Sequence, residues 1–107
     1  MISFEEFKIM YDASRGEPEF EIYFHNVKES YMIIKYKDGV SFQRCGVTDG
    51  SGEYYYPSLL ELYNTVSVDG ICLRERWKDI DTIIANAWCD LSREEELIEF
   101  KEYLNLM

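Results

Sequence analysis

The sequence predicts an α+β fold: an N-terminal helix, an antiparallel meander of three to four strands, and two to three C-terminal helices packed on one face of the sheet. Three observations predict it. Residues Glu19 to His25 alternate, with Phe20, Ile22 and Phe24 on one side and Glu19, Glu21, Tyr23 and His25 on the other, as in a half-buried strand. Asp38-Gly39 stands between two strand-like runs, a strong short-range hairpin signal. Apolar residues recur at helical spacing at both ends of the chain. At 107 residues the chain is one domain, 1–107.

The elements follow in order. Ser3 caps a first helix, Glu5 and Glu6 occupy its first turn, and Phe4, Phe7, Met10 and Tyr11 share a face. Ser14-Arg15-Gly16 ends that helix and Pro18 prevents its resumption. Strands follow at Glu19–His25, Tyr31–Lys37 and Val40–Cys45, then a flexible loop at Thr48–Gly52 and a short fourth strand at Tyr54–Tyr56. Ser58 and Glu61 have capping-box spacing for a short helix with Leu59, Leu62, Tyr63 and Val66 on its apolar face. From Val68 a turn at Asp69-Gly70 leads into a segment with Leu73, Trp77, Ile80 and Ile84 on one helical face, read as core. Residues 81–89 fit either a helix or, through Thr82-Ile83-Ile84, a strand. Ser92 and Glu95 form a second capping box, opening a last helix over residues 92–105 with Leu97, Phe100 and Leu104 on one side.

Composition narrows the function classes. Nearly half the residues are hydrophobic, including nine Tyr, six Phe and two Trp, enough for a small core. A net charge of −10 repels nucleic acid and anionic membrane, so direct binding to either is not expected. A basic protein partner is the natural complement, although acidity also serves solubility alone. The start, Met1-Ile2-Ser3-Phe4-Glu5-Glu6, is acidic where a signal peptide is basic, and no long apolar run follows. Three widely spaced cysteines argue against a disulfide framework. These features point to the cytoplasm, with the thiols reduced.

Leu59-Leu60-Glu61-Leu62 followed by Asp69-Gly70-Ile71-Cys72-Leu73-Arg74-Glu75-Arg76-Trp77-Lys78-Asp79-Ile80 resembles small proteins of Firmicute phages and integrated mobile elements. Those carry a pattern like Asp-Gly-Lys-Ser-Leu-Arg-Glu-x-Trp-Asp-Asp-Ile after a short sheet and a Glu-Glu-Leu-Leu helix. The match covers roughly a quarter of the chain. Ile71-Cys72 stand here where the pattern has Lys-Ser, which puts the helix N-cap in doubt, and the chain carries an extra C-terminal helix. The resemblance implies a phage or mobile-element setting, where small acidic proteins often look like inhibitors of host defence, anti-CRISPR proteins included.

Three constellations could carry chemistry. A Cys–His nucleophile would need His25, the only histidine, beside Cys45, Cys72 or Cys89, and no local signature accompanies any of them. The same four residues would complete a tetrahedral structural zinc site, with His25 and Cys45 meeting across neighbouring strands. Against this, no Cys-x-x-Cys knuckle is present, and lone buried cysteines commonly behave as small hydrophobes. Asp49-Gly50-Ser51-Gly52 lacks the Lys and the helix of a phosphate loop.

The third constellation is acidic. Residues 79–107 hold eight acids against two bases, six of the ten net negative charges. On the last helix Glu95, Glu99 and Glu102 lie within about 60° of one another, at 100° per residue. Such a row on a rigid helix imitates a phosphate backbone and competes for a groove lined by Lys and Arg. It is also what a merely solvated helix face looks like. Asp79 and Asp81 extend the acidic segment, and Tyr55 within Tyr54-Tyr55-Tyr56 offers an aromatic contact. The expectation is a non-catalytic anti-CRISPR-type inhibitor that engages a type II RNA-guided nuclease through Glu95, Glu99, Glu102, Asp79, Asp81 and Tyr55 and blocks its DNA engagement. Two alternatives stand beside it: an accessory protein of a mobile element, and a zinc-stabilised adaptor whose partner is unrelated to DNA.

Overall fold

The computed structural model of the chain describes residues 1–47, 49 and 52–107. Helix α1 (Phe4–Ala13) begins where Ser3 accepts the Glu6 N–H at 3.1 Å, and it buries Phe4, Phe7, Met10 and Tyr11. Strands β1 (Glu19–Phe24), β2 (Ser30–Tyr36), β3 (Gly39–Arg44) and β4 (Glu53–Tyr56) form the expected meander. Of the loop expected at Thr48–Gly52, Thr48, Gly50 and Ser51 lie outside the described residues. Helix α2 (Leu59–Asn64) is capped by Ser58, as its spacing requires.

The segment after α2 departs from the sequence reading. The turn at Asp69-Gly70 forms, with both residues left-handed at φ 54° and 75°. The following helix α3 (Leu73–Arg76) lasts one turn; its N-cap is Cys72, which makes no side-chain cap bond. A 3₁₀ turn (Trp77–Asp79) then leads into strand β5 (Ile80–Ala85). Leu73, Trp77 and Ile80 are buried, but they do not share a helical face with Ile84, which lies half-buried on a strand. The reason is pairing. The free side of β1 needs backbone partners, and Ile80-Asp-Thr-Ile-Ile supplies a β-branched run that pairs with it antiparallel, Ile22 opposite Ile83.

Two further elements were not expected in this form. Strand β6 (Cys89–Asp90) adds to β5, so the sheet has six antiparallel strands in the order β4-β3-β2-β1-β5-β6. Helix α4 (Glu94–Tyr103) starts after Arg93, with no side-chain cap. Ser92 does not close a capping box with Glu95. Its N–H donates to Asp90 Oδ1 at 2.9 Å and its hydroxyl donates to the same oxygen. An aspartate two residues upstream forms an Asx turn that takes both donors. Both sheet edges are short, four residues in β4 and two in β6, which limits edge-to-edge aggregation.

The core lies on one side of the sheet. Phe20, Ile22, Phe24, Tyr31, Ile33, Val40, Phe42, Ile83 and Ala85 point to it, and buried residues of all four helices complete the same cluster. Phe7 meets Phe20 edge-on at 5.0 Å and Trp77 at 5.3 Å. Phe4 stacks on Tyr63 at 3.6 Å. The Asp69 turn is tied to the sheet, its carboxylate accepting from Tyr31 Oη at 2.8 Å and from Arg44 at 3.2 Å.

The opposite parity of every strand faces away from the helices. There Tyr36 on β2 and Tyr55 on β4 lean toward each other, 6.1 Å between ring centres. Between them β3 carries small residues, Gly39 opposite Tyr36 and Ser41 opposite Tyr55. A Cβ on Gly39 would come within 2.5 Å of the Tyr56 carbonyl oxygen, so only glycine fits. No helix among the described residues is long and apolar enough to cross a membrane.

Candidate protein-interaction surface

Helix α4 is held to the fold by Phe100, fully buried, with Leu97 and Leu104 packed against the core. Lys101 reaches Glu6 of α1 at 3.4 Å. Its first turn, Glu94-Glu95-Glu96, puts negative charge at the helix N-terminus, where the dipole favours it. Glu96 is engaged, accepting the Asp90 N–H at 3.0 Å and pairing with Arg93 at 3.3 Å. Glu95, Glu99 and Glu102 are exposed, and none makes a side-chain hydrogen bond or ion pair with another described residue. With Phe100 inward, helical spacing puts these three carboxylates in one row.

Beside that row stands an aromatic pair that the sequence reading did not single out. Trp88 is 50% exposed and Tyr103 65%. Their rings meet edge-on at 5.9 Å, over the buried Phe100. Glu99 precedes Tyr103 by four residues, so the two side chains are neighbours on the helix surface. Trp88 is presented by the β5–β6 turn, which its N–H closes on the Ala85 carbonyl at 3.1 Å. The turn's central residues, Asn86 and Ala87, are left-handed at φ 52° and 63°, the dihedral signature of a type I′ hairpin turn. Asn86 also accepts the Glu19 N–H at 3.0 Å, which pins the turn to β1. Asn-Ala is a weak form of the Asn-Gly signal, and the exposure of Trp88 depends on that turn.

The remaining expected contact residues lie elsewhere. The Asp79 carboxylate is taken by Arg76 at 3.1 Å and its carbonyl by the His25 N–H at 2.8 Å. Asp81 is exposed, 3.6 Å from His25 Nδ1. Tyr55 is 65% exposed on β4, at the opposite sheet edge from β6 and α4. The six residues therefore occupy three separate places, and only Glu95, Glu99 and Glu102 form one surface.

The four residues considered for zinc do not converge. His25 follows β1 and Cys45 follows β3, and β2 runs between those strands. Cys72 is buried at the start of α3, with its thiol on the Tyr63 carbonyl at 3.7 Å. Cys89 is buried in β6, donating to the Glu96 carbonyl at 2.9 Å. Among the described residues no group of three or more His, Cys, Asp or Glu is placed to hold a metal ion.

Cys45 and Cys89 both hold their protons more tightly than a free thiol does. Burial pushes the Cys89 thiol up to about 11, with the carboxylates of Glu96, Glu99 and Asp90 adding to the effect. Burial likewise raises Cys45, helped by Glu21, whose Oε2 lies 3.9 Å away. An activated cysteine needs the opposite, a positive neighbour that stabilises the thiolate. Comparison with protein families, curated proteins and solved structures finds no match to the chain.

Proposed function

We propose that this protein is a non-catalytic inhibitor that binds a basic nucleic-acid-binding surface on a partner protein through α4. The observation that carries this reading is the unpaired row Glu95, Glu99, Glu102 beside the exposed pair Trp88 and Tyr103. The two parts do different work. Carboxylates on a chain of net charge −10 steer it toward a Lys/Arg-lined channel and speed encounter. Trp88 and Tyr103 supply rigid, amphipathic anchors, the residue types that dominate binding energy at protein interfaces. Occupation of the channel excludes nucleic acid without turnover. The resemblance of the 59–80 region to proteins of Firmicute phages and mobile elements points to a type II RNA-guided nuclease as the partner, blocked where it engages target DNA.

The test is target-DNA cleavage by a guide-loaded type II nuclease from a low-GC Gram-positive host, with this protein added. Inhibition should be stoichiometric and should weaken as salt rises. The Trp88→Ala variant, whose side chain is half-exposed, should keep the fold and lose about tenfold or more in potency, as interface anchors do. Unimpeded cleavage at a large excess of the protein sinks the nuclease reading. Equal potency of Trp88→Ala sinks the anchor.

A further inference from the structure

The face of the sheet turned away from the helices is composed unlike an ordinary solvated face. Its strand positions are Glu19, Glu21 and Tyr23 on β1; Ser30, Met32, Ile34 and Tyr36 on β2; Gly39, Ser41 and Gln43 on β3; Glu53 and Tyr55 on β4; Thr82 and Ile84 on β5; and Asp90 on β6. Four carboxylates stand there, and no Lys or Arg occupies any of these positions. None of the four is ion-paired with a described residue.

Apolar side chains are interleaved with the acids. Cross-strand register sets Glu21 between Met32 and Ile84, with Glu53 and Asp90 at the two ends of the same row. In a neighbouring row Glu19 is opposite Ile34. Met32, Ile34 and Ile84 are only half-buried, because no helix covers them.

Charge decides among occupants. Nucleic acid is repelled by four carboxylates with no compensating base. A second copy of this chain would set four carboxylates against four. What complements the face is a segment whose cations alternate with apolar side chains. The spacing between strands gives a six-stranded face a width of about 24 Å, which a helix of about 16 residues spans.

We infer that the uncovered face of the sheet is a docking surface for a basic amphipathic helix of a partner protein, with Met32, Ile34 and Ile84 receiving its apolar stripe and Glu19, Glu21, Glu53 and Asp90 its cations. This surface is distinct from the exposed row on α4 and does not depend on what α4 binds.

The probe is a synthetic Leu/Lys peptide of about 18 residues patterned as an amphipathic helix, titrated into the isotope-labelled protein and followed by backbone amide shifts. A peptide of the same composition in scrambled order serves as control. Saturable shifts on β1, β2 and β5 are expected, with the scrambled peptide binding at least about fivefold more weakly. Glu19→Gln combined with Glu21→Gln should weaken binding about fivefold, the scale of two surface charge pairs. The α4 variant Glu95→Gln, Glu99→Gln, Glu102→Gln should bind the peptide as the natural chain does, which separates this inference from the proposed function. Shifts confined to α4, equal binding of both peptides, or no saturable binding would overturn it.

Discussion

The indole N–H of Trp77 donates to the carbonyl oxygen of Ile2 at 3.1 Å, in a buried environment, across 75 positions of sequence. This bond joins the start of the chain to the turn that launches β5. Around it, Phe4 contacts Trp77 edge-on at 5.2 Å and Phe7 contacts it at 5.3 Å. The Leu-Arg-Glu-Arg-Trp segment thus serves as an internal clamp, with Trp77 as its tooth.

Trp77→Phe keeps most of the aromatic packing and strands the Ile2 carbonyl. The expected loss is about 1–3 kcal/mol, the cost of a buried group left without its partner. Trp77→Ala adds a cavity and should cost about 3–5 kcal/mol. Urea unfolding followed by fluorescence of the remaining Trp88 in each variant measures both. A loss under about 0.5 kcal/mol for Trp77→Phe would show that the bond is not made in solution.

Lys35 caps α1 from the sheet. Its ammonium donates to the carbonyls of Tyr11, Asp12 and Ser14 at 3.0, 3.3 and 2.9 Å and sits 5.1 Å from the centre of the Tyr11 ring. The last carbonyls of a helix carry partial negative charge and lack intrahelical donors. Lys35→Met preserves volume and removes the charge. It should cost about 1–3 kcal/mol and speed amide exchange in the last turn of α1 while leaving β5 and β6 protected. Uniform loss of protection across the molecule would contradict a local capping role.

Ala87 holds a left-handed conformation, φ 63°, in the turn that presents Trp88. An L-residue there costs about 1–2 kcal/mol. Glycine removes that strain and returns part of the gain through unfolded-chain entropy, about 0.5–1 kcal/mol. Ala87→Gly should therefore stabilise the protein by roughly 0.5–1 kcal/mol. Thermal unfolding of the variant checks the sign, and a destabilised variant would show that the turn adopts another geometry.

Stability should fall in alkali. Tyr31 is raised from 10.0 to about 12 by burial first and then by its hydrogen bond to Asp69. Tyr11 is raised to about 12 by burial and by Asp12. Both remain protonated in the folded protein where the unfolded chain has already ionised. Their contribution is fully present below pH 10 and is lost as pH rises from 10 through about 12. Denaturation midpoints between pH 8 and pH 12 should drop, and Tyr31→Phe should flatten the drop. An identical pH slope in that variant would remove Tyr31 from the account.

Local signals were legible in the sequence where they are complete within a few residues. Ser3 and Ser58 cap as their spacing requires, the β2–β3 hairpin forms beside the Asp38-Gly39 signal although Lys37-Asp38 makes its turn and Gly39 opens β3 opposite Tyr36, and the alternation of Glu19–Phe24 marks β1 with the correct faces. Ile80–Ala85 was not decidable, because the partner that makes it a strand is β1, about 60 positions earlier, and Ile84 changes sides with that assignment. Ser92 looked like a cap until Asp90, itself set by β6, took its donors. The row Glu95, Glu99, Glu102 was visible from helical spacing alone. Trp88 was not, because its exposure depends on the Asn86-Ala87 turn. The acidic sheet face was not, because Glu53, Ile84 and Asp90 join Glu21 and Met32 only through the cross-strand register and through residues 80–85 forming a strand.

The most direct test of the central claim is the dissociation constant between this protein and a guide-loaded type II nuclease, measured across a series of salt concentrations. The natural chain is compared with Glu95→Gln, Glu99→Gln, Glu102→Gln. Tight, salt-sensitive binding is expected for the natural chain. The triple variant should bind about tenfold or more weakly at low salt, with a shallower salt dependence, as the steering charges are removed. Equal affinity and equal salt slope in the two proteins would contradict the claim that α4 is the contact surface.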